Sequence, residues 1–371
     1  MTQQRLCRRV ACSVAGCALV AASALAQPAP PPDEQAHFLA GLPLEAGSGL
    51  HALSASPAGR THAMGIAREW ADLQWIRLGA MGEWATAELG PRIDTALPLV
   101  YLFSAPDFVS ADVLYPSAPV YVLCGLEPIG SVPRLDALAP RALEADLDNL
   151  RSSLRSILRL SHFITKDMAI DLRRTELKGV LPLLYLFLAR TQHQIVDTTL
   201  IQIDRDGGIV EYGPARLPRD AAPGVRIRFR KEGQPATREL YYVQVDLSSQ
   251  SIASKPGFFT FLGALGPANG YLKAASFILH NTGFSATREF LLQHSRSILQ
   301  DDSGIPFRAF APARWDFVFF GTYVAPEAIF KGSFQADLEK AFEAAAPTRP
   351  LPFHTGYAHS REPSLMLAVS K

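Results

Sequence analysis

The chain has 371 residues, 48% of them hydrophobic and 19% charged, and its 36 basic and 35 acidic side chains leave a formal charge of +1. So even a balance carries no electrostatic footprint for nucleic acid or anionic lipid, and neither is expected as a partner. Four cysteines in this length exclude a disulfide scaffold, so the fold must rest on its core.

Residues 1–26 set the compartment. Arg5, Arg8 and Arg9 precede an apolar run from Val10 to Val20, and Ala24-Leu25-Ala26 offers a small-residue cleavage site, the pattern of a secretory signal peptide. The run is shorter than the roughly 20 residues a spanning helix needs. Cleavage after Ala26 therefore predicts a periplasmic or secreted protein with no transmembrane segment. Val14-Ala15-Gly16-Cys17 also fits a lipoprotein box, which would instead anchor the chain through lipidated Cys17. With the leader go three basic residues, leaving 33 against 35, or −2, and Cys7, Cys12 and Cys17, leaving Cys124 alone. Cys124 lies in an apolar run and reads as buried and inert.

Residues 27–36 are proline-rich and read as a tether. Residues 37–371 show no second linker and no internal repeat, which predicts one globular domain. Its first element is a helix over about His62–Leu89, with Ile66, Trp70, Leu73, Ile76, Ala80 and Trp84 on one core-facing stripe. Leu97–Phe103 and Val120–Cys124 are continuous apolar runs of strand length flanking a short amphipathic segment, the pattern of a parallel βαβ crossover. Ser104 is placed to cap the intervening helix, with Pro106 in its first turn. Helices follow over about Arg141–Leu160 and Val180–Arg190, the second apolar all round.

Strands at Thr198–Ile203, Ile209–Tyr212, Val225–Arg230 and Glu239–Leu247 then predict an antiparallel meander. Within it, the alternation of Arg226, Arg228 and Arg230, followed by Lys231, reads as a solvated strand face. Helical character is expected from about Pro267 to Leu299, then a strand at Trp315–Tyr323, a helix near Phe334–Ala345, and an edge or closing strand at Leu365–Val369. The fold class is mixed α/β, with a parallel βαβ core near 97–125, flanking helices and a meander near 196–248.

Two constellations could carry chemistry. A right-handed crossover brings the loops at its strand ends side by side, where crevices commonly hold ligands. Those loops carry Ser104 and Asp107 after the first strand and Gly125, Glu127 and Gly130 after the second. The competing reading makes Ser104 a cap, Asp107 a complement to the helix dipole, and Gly125 to Pro128 a turn. The spacing from Phe103 to Glu127 resembles that of nucleotide or S-adenosylmethionine folds, in which an acidic residue ending the second strand holds a ribose. The Gly-rich loop of those folds is missing from Ser104-Ala-Pro-Asp107.

The second constellation is His294 on a helix followed by Asp301 and Asp302. Adjacent carboxylates can raise one another's pKa for acid–base work or supply oxygen ligands; a core histidine and an ordinary turn are the competing reading. Asp204-x-Asp206-Gly reads as a hairpin turn because no complete calcium loop follows. His354 and His359 lack a third zinc ligand. No G-x-S-x-G, H-E-x-x-H, P-loop or C-x-x-C occurs. The expectation is an envelope protein that binds a small ligand or another envelope component, without cofactor or metal. The alternative is a hydrolase using carboxylates at the strand ends.

Overall fold

The computed structural model describes residues 29–138, 140–160, 177–212, 217–358 and 362–371. The expected leader, including Cys17, lies outside the described residues, as does His359. No described helix is long and apolar enough to cross a membrane.

Helix α1 (Pro32–Leu39) begins inside the stretch expected to be a tether. Proline is favoured in the first helical turn, where its missing N–H costs nothing, and Asp33 and Glu34 complement the dipole there. The helix is also tied down: Gln35 is buried and accepts from the Leu135 N–H, while Asp33 Oδ1 accepts from the Ile195 N–H at 2.8 Å.

After the short α2 (His51–Ser54), α3 (Pro57–Leu73) starts at Ser56, whose hydroxyl accepts from the Gly59 N–H. It runs on through a π-helical turn (Gln74–Leu78), α4 (Gly79–Trp84) and a second π turn (Ala85–Leu89). The predicted stripe therefore holds only in part. Ile66, Leu73 and Trp84 are buried, but Ile76 is 74% exposed because the π turn widens the helix and shifts the stripe, and Arg77 is half-buried instead.

Among the described residues ten strands form one sheet, ordered β4-β3-β5-β6-β2-β1-β7-β8-β10-β9. The crossover is present: β1 (Leu99–Tyr101), α5 (Phe108–Leu114) and β2 (Val120–Gly125), with Leu99 beside Tyr121 and Tyr101 beside Leu123 in parallel register. α6 (Pro140–Leu160) buries Leu143, Leu147, Leu150 and Leu154, and α7 (Leu181–Arg190) is buried nearly all round, as its composition predicts.

β3 (His193–Ile203), β4 (Ile209–Glu211), β5 (Ala222–Lys231) and β6 (Thr237–Gln244) extend the sheet. The antiparallel meander is present as β3-β5-β6, with β4 pairing antiparallel outside β3 and β6 joining β2 in parallel. Arg228 pairs with Asp197, Arg226 with Glu211, and Arg230 with Gln194, so the basic row is a paired surface.

α8 (Ser249–Ser254) and α9 (Gly257–Ala264) lead into the stretch where helical segments are expected. It holds α10 (Ser285–His294), but also two strands, β7 (Ala268–Leu272) and β8 (Ser295–Gln300), parallel to each other. β9 (Trp315–Gly321), α11 (Ala336–Ala344) and β10 (Ser364–Ser370) complete the chain. β10 is not an edge: it lies antiparallel between β8 and β9.

Alternate residues feed two cores. Leu99, Tyr101, Tyr121 and Leu123 pack with α1, α5, α6 and α7, whereas Val100, Leu102, Val122 and Cys124 pack against residues of α8 to α11 on the other face. The five parallel strands, renumbered in chain order, stand 3-2-1-4-5. The chain builds outward from β1 to β6 and then returns to β7 on the far side of β1, so the strand order reverses there. Loops leaving such a reversal diverge to opposite faces and open a crevice at the carboxyl edge.

Candidate functional site

A cleft of about 840 Å³, its open mouth included, occupies that edge. The ends of β1, β2, β6 and β7 supply its floor and sides, and Phe103, Leu126, Ile278, Phe284 and Tyr357 supply most of its apolar wall. Four residues expected from sequence converge on it: Ser104, Asp107, Gly125 and Glu127.

The loop after β1 turns sharply, with φ +62° at Phe103 and +49° at Ala105. Positive φ at non-glycine residues is costly, and local hydrogen bonds hold it here. Ser104 Oγ accepts from the Cys124 N–H at 3.0 Å, and the Ala105 N–H donates to the Cys124 carbonyl at 3.0 Å. Ser104 is thus a strut between strand ends. It does not cap α5 as the sequence predicts; the cap is Asp107, whose Oδ1 accepts from the Ser110 N–H. Cys124 beneath is fully buried, and burial pushes its thiol well above the ordinary range.

Asp107 also closes a buried ion pair that sequence gave no means to find. Its Oδ2 lies 2.7 Å from Lys273 Nζ and accepts from the Tyr101 hydroxyl at 3.1 Å, and Lys273 donates in addition to Ser110 Oγ at 2.9 Å. Burial lowers the Lys273 pKa, opposed by the Asp107 charge. Tyr101 and Tyr271, whose rings lie 4.5 Å apart, are pushed far up by burial and by the same carboxylate. Arg77, brought in by the π turn, adds a second cationic field to this cluster.

Glu127 is 3% exposed. The Tyr242 hydroxyl lies 3.0 Å from its backbone carbonyl and 3.2 Å from its Oε2. A Cβ on Gly125 would lie 2.2 Å from Oε2 and 2.7 Å from the Tyr242 hydroxyl, so the glycine makes room for the carboxylate at the strand end. Asp246, after β6, is exposed at the rim, where its carboxylate accepts from the Ser248 N–H and hydroxyl.

The second constellation separates. Asp301 lies behind the cleft wall: its Oδ2 accepts from the Ala274 N–H at 3.0 Å and its Oδ1 from Ser303, which holds Ala274 at φ +59°. A Cβ on Gly356 would come within 2.3 Å of Asp301 Oδ2, so Asp301 also seats the segment bearing Tyr357. Burial raises its pKa against these hydrogen bonds. Asp302 lines a smaller neighbouring pocket with Glu327 and Tyr357. His294 is neither core nor cleft: it is exposed at the end of α10, its ring stacked 4.1 Å from that of Phe290. Gly130, at φ +84°, packs on the Lys178 and Gly179 backbone and does not line the cleft.

Asp204 Oδ1 accepts from the Asp206 and Gly208 N–H groups, the hydrogen bonding of a turn. Among the described residues no three His, Cys, Asp or Glu side chains converge as a metal site. Lys273, Tyr242, Ala274, Phe284 and Tyr357 are among the lining or supporting residues that sequence did not single out; the run Gly270 to Leu272 ending in lysine is a local signal for the first of them. Comparison of the chain with protein-family models, with curated proteins and with solved structures returned no match.

Proposed function

We propose that this is an exported envelope protein that binds a small organic ligand in the cleft between the ends of β1, β2, β6 and β7. The observation that carries the reading is a cleft at the point where strand order reverses, walled by aromatic and aliphatic side chains with a few converging polar groups. Export rests on the leader pattern of residues 1–26.

Binding is favoured over hydrolysis because two of the candidate carboxylates are committed. Asp107 is held by Lys273, Tyr101 and the α5 cap; Asp301 is held by Ala274 and Ser303 and lies behind the wall. Neither is free to activate water, and Ser104 Oγ is engaged by strand β2.

The test is an NMR screen of a fragment library against the protein and an Ile278→Trp variant that fills the wall. Saturable hits lost in the variant, at unchanged chemical-denaturation midpoint, are expected. Hits that persist in the variant, or none at all, contradict the reading.

A further inference from the structure

We infer that the ligand of this cleft is an organic cation, its positive group set between the Glu127 carboxylate and the aromatic wall. The inference rests on the ligand-binding reading above and adds the ligand's charge.

Lys273 is the only basic side chain among the described residues lining the cleft, and its Nζ is already engaged by Asp107 and Ser110. Three carboxylates stand against it: Asp107, Glu127 and Asp246. With the Lys273–Asp107 pair cancelling, Glu127 and Asp246 are the carboxylates left on the cavity lining; Arg77, whose charge acts on that pair, does not line the cleft. The N-terminus of α5 offers an anion nothing, since Asp107 caps it from within. A phosphate or carboxylate entering here would meet two like charges and no available cation.

Glu127 carries the second part of the argument. It is nearly wholly buried, its Oε2 accepts from the neutral Tyr242 hydroxyl, and among the described residues no basic side chain forms an ion pair with it. A buried carboxylate without an opposite charge is expensive, and a bound cation supplies what the protein does not. Tyr101, Phe103, Phe284 and Tyr357 contribute rings on the same cavity, Phe103 and Phe284 being edge-to-face at 6.2 Å, and aromatic faces attract a desolvated cation.

Three probes that share a phenol body and differ in charge test this: tyramine (cation), tyrosol (neutral) and 4-hydroxyphenylacetate (anion), titrated by NMR. Tyramine should bind at least about tenfold tighter than the anion, with tyrosol between them. Glu127→Gln should remove most of the tyramine advantage while leaving tyrosol within about twofold. Asp246→Asn, at an exposed position, gives a second reading of the same charge effect if the Glu127 variant is destabilised.

Binding of the anion as tight as tyramine, displaced by the Ile278→Trp change, would overturn the charge assignment and leave the cleft a ligand site. An unaltered tyramine preference in both carboxylate variants would overturn the role of these groups. Absence of saturable binding by all three probes would count against the charge assignment, and the fragment screen then decides whether the cleft binds anything.

Discussion

The cleft depends on a few side chains whose roles differ from those their types first indicate. Ser104 has the position of a nucleophile or a cap but works as a backbone clamp on Cys124. Ser104→Ala should therefore cost about 1–3 kcal/mol in urea unfolding, the penalty for leaving a buried N–H unpaired; a neutral effect would contradict the clamp. Lys273 and Asp107 form a buried pair, and removing one partner strands the other. Lys273→Met alone should cost about 3–5 kcal/mol, and the Lys273→Met/Asp107→Asn double variant clearly less than the sum of the singles. Gly125→Ala should drive the Glu127 carboxylate from its seat and weaken ligand binding more than tenfold, since the added carbon would stand 2.2 Å from Oε2. Ser104, Asp107, Gly125 and Glu127 were legible because a parallel crossover places its two loops together. Lys273 and Tyr242 were not, because their partners lie more than a hundred residues away.

Elements with a marked apolar pattern were legible, and β7, which has none, was not. α6 and α7 follow their apolar patterns, and β1 and β2 their unbroken apolar runs. β7, Ala268-Asn-Gly-Tyr-Leu272, carries an asparagine and a glycine and no alternation, yet it is buried throughout, with Asn269 donating to the Asp94 carbonyl and accepting from Ser297. Tertiary hydrogen bonds make it a strand where local propensity does not. The long N-terminal helix shows the converse: its 3.6 period is real, but the π turn at Gln74–Leu78 shifts it and turns Ile76 outward. Ile76→Gln should then change stability by less than about 0.5 kcal/mol, as at a surface position. A loss of about 2 kcal/mol or more would restore Ile76 to the core.

Across the molecule, a buried pair couples stability to pH. His193 Nε2 lies 3.4 Å from Asp112 Oδ1 where β3 packs on α5. Burial raises Asp112 to about 7 and lowers His193 to about 3, with Lys231 and Arg238 opposing the first shift and adding to the second. Asp112 lies above its unfolded value, so its contribution is present at low pH and is lost as pH rises from about 4 through about 7. His193 lies below its unfolded value, so its contribution is present above about pH 6.5 and is lost as pH falls toward about 3. Asp112→Asn should remove the first slope, gaining about 2–3 kcal/mol on the parent protein between about pH 5 and about pH 8 in urea unfolding; parallel pH profiles would contradict the protonated Asp112. Ligand binding in the cleft is tested by native mass spectrometry of the protein isolated from its native cells. A small organic mass that leaves on denaturation and is missing from Gly125→Ala is expected. A bare polypeptide, or the same mass retained by that variant, would contradict it.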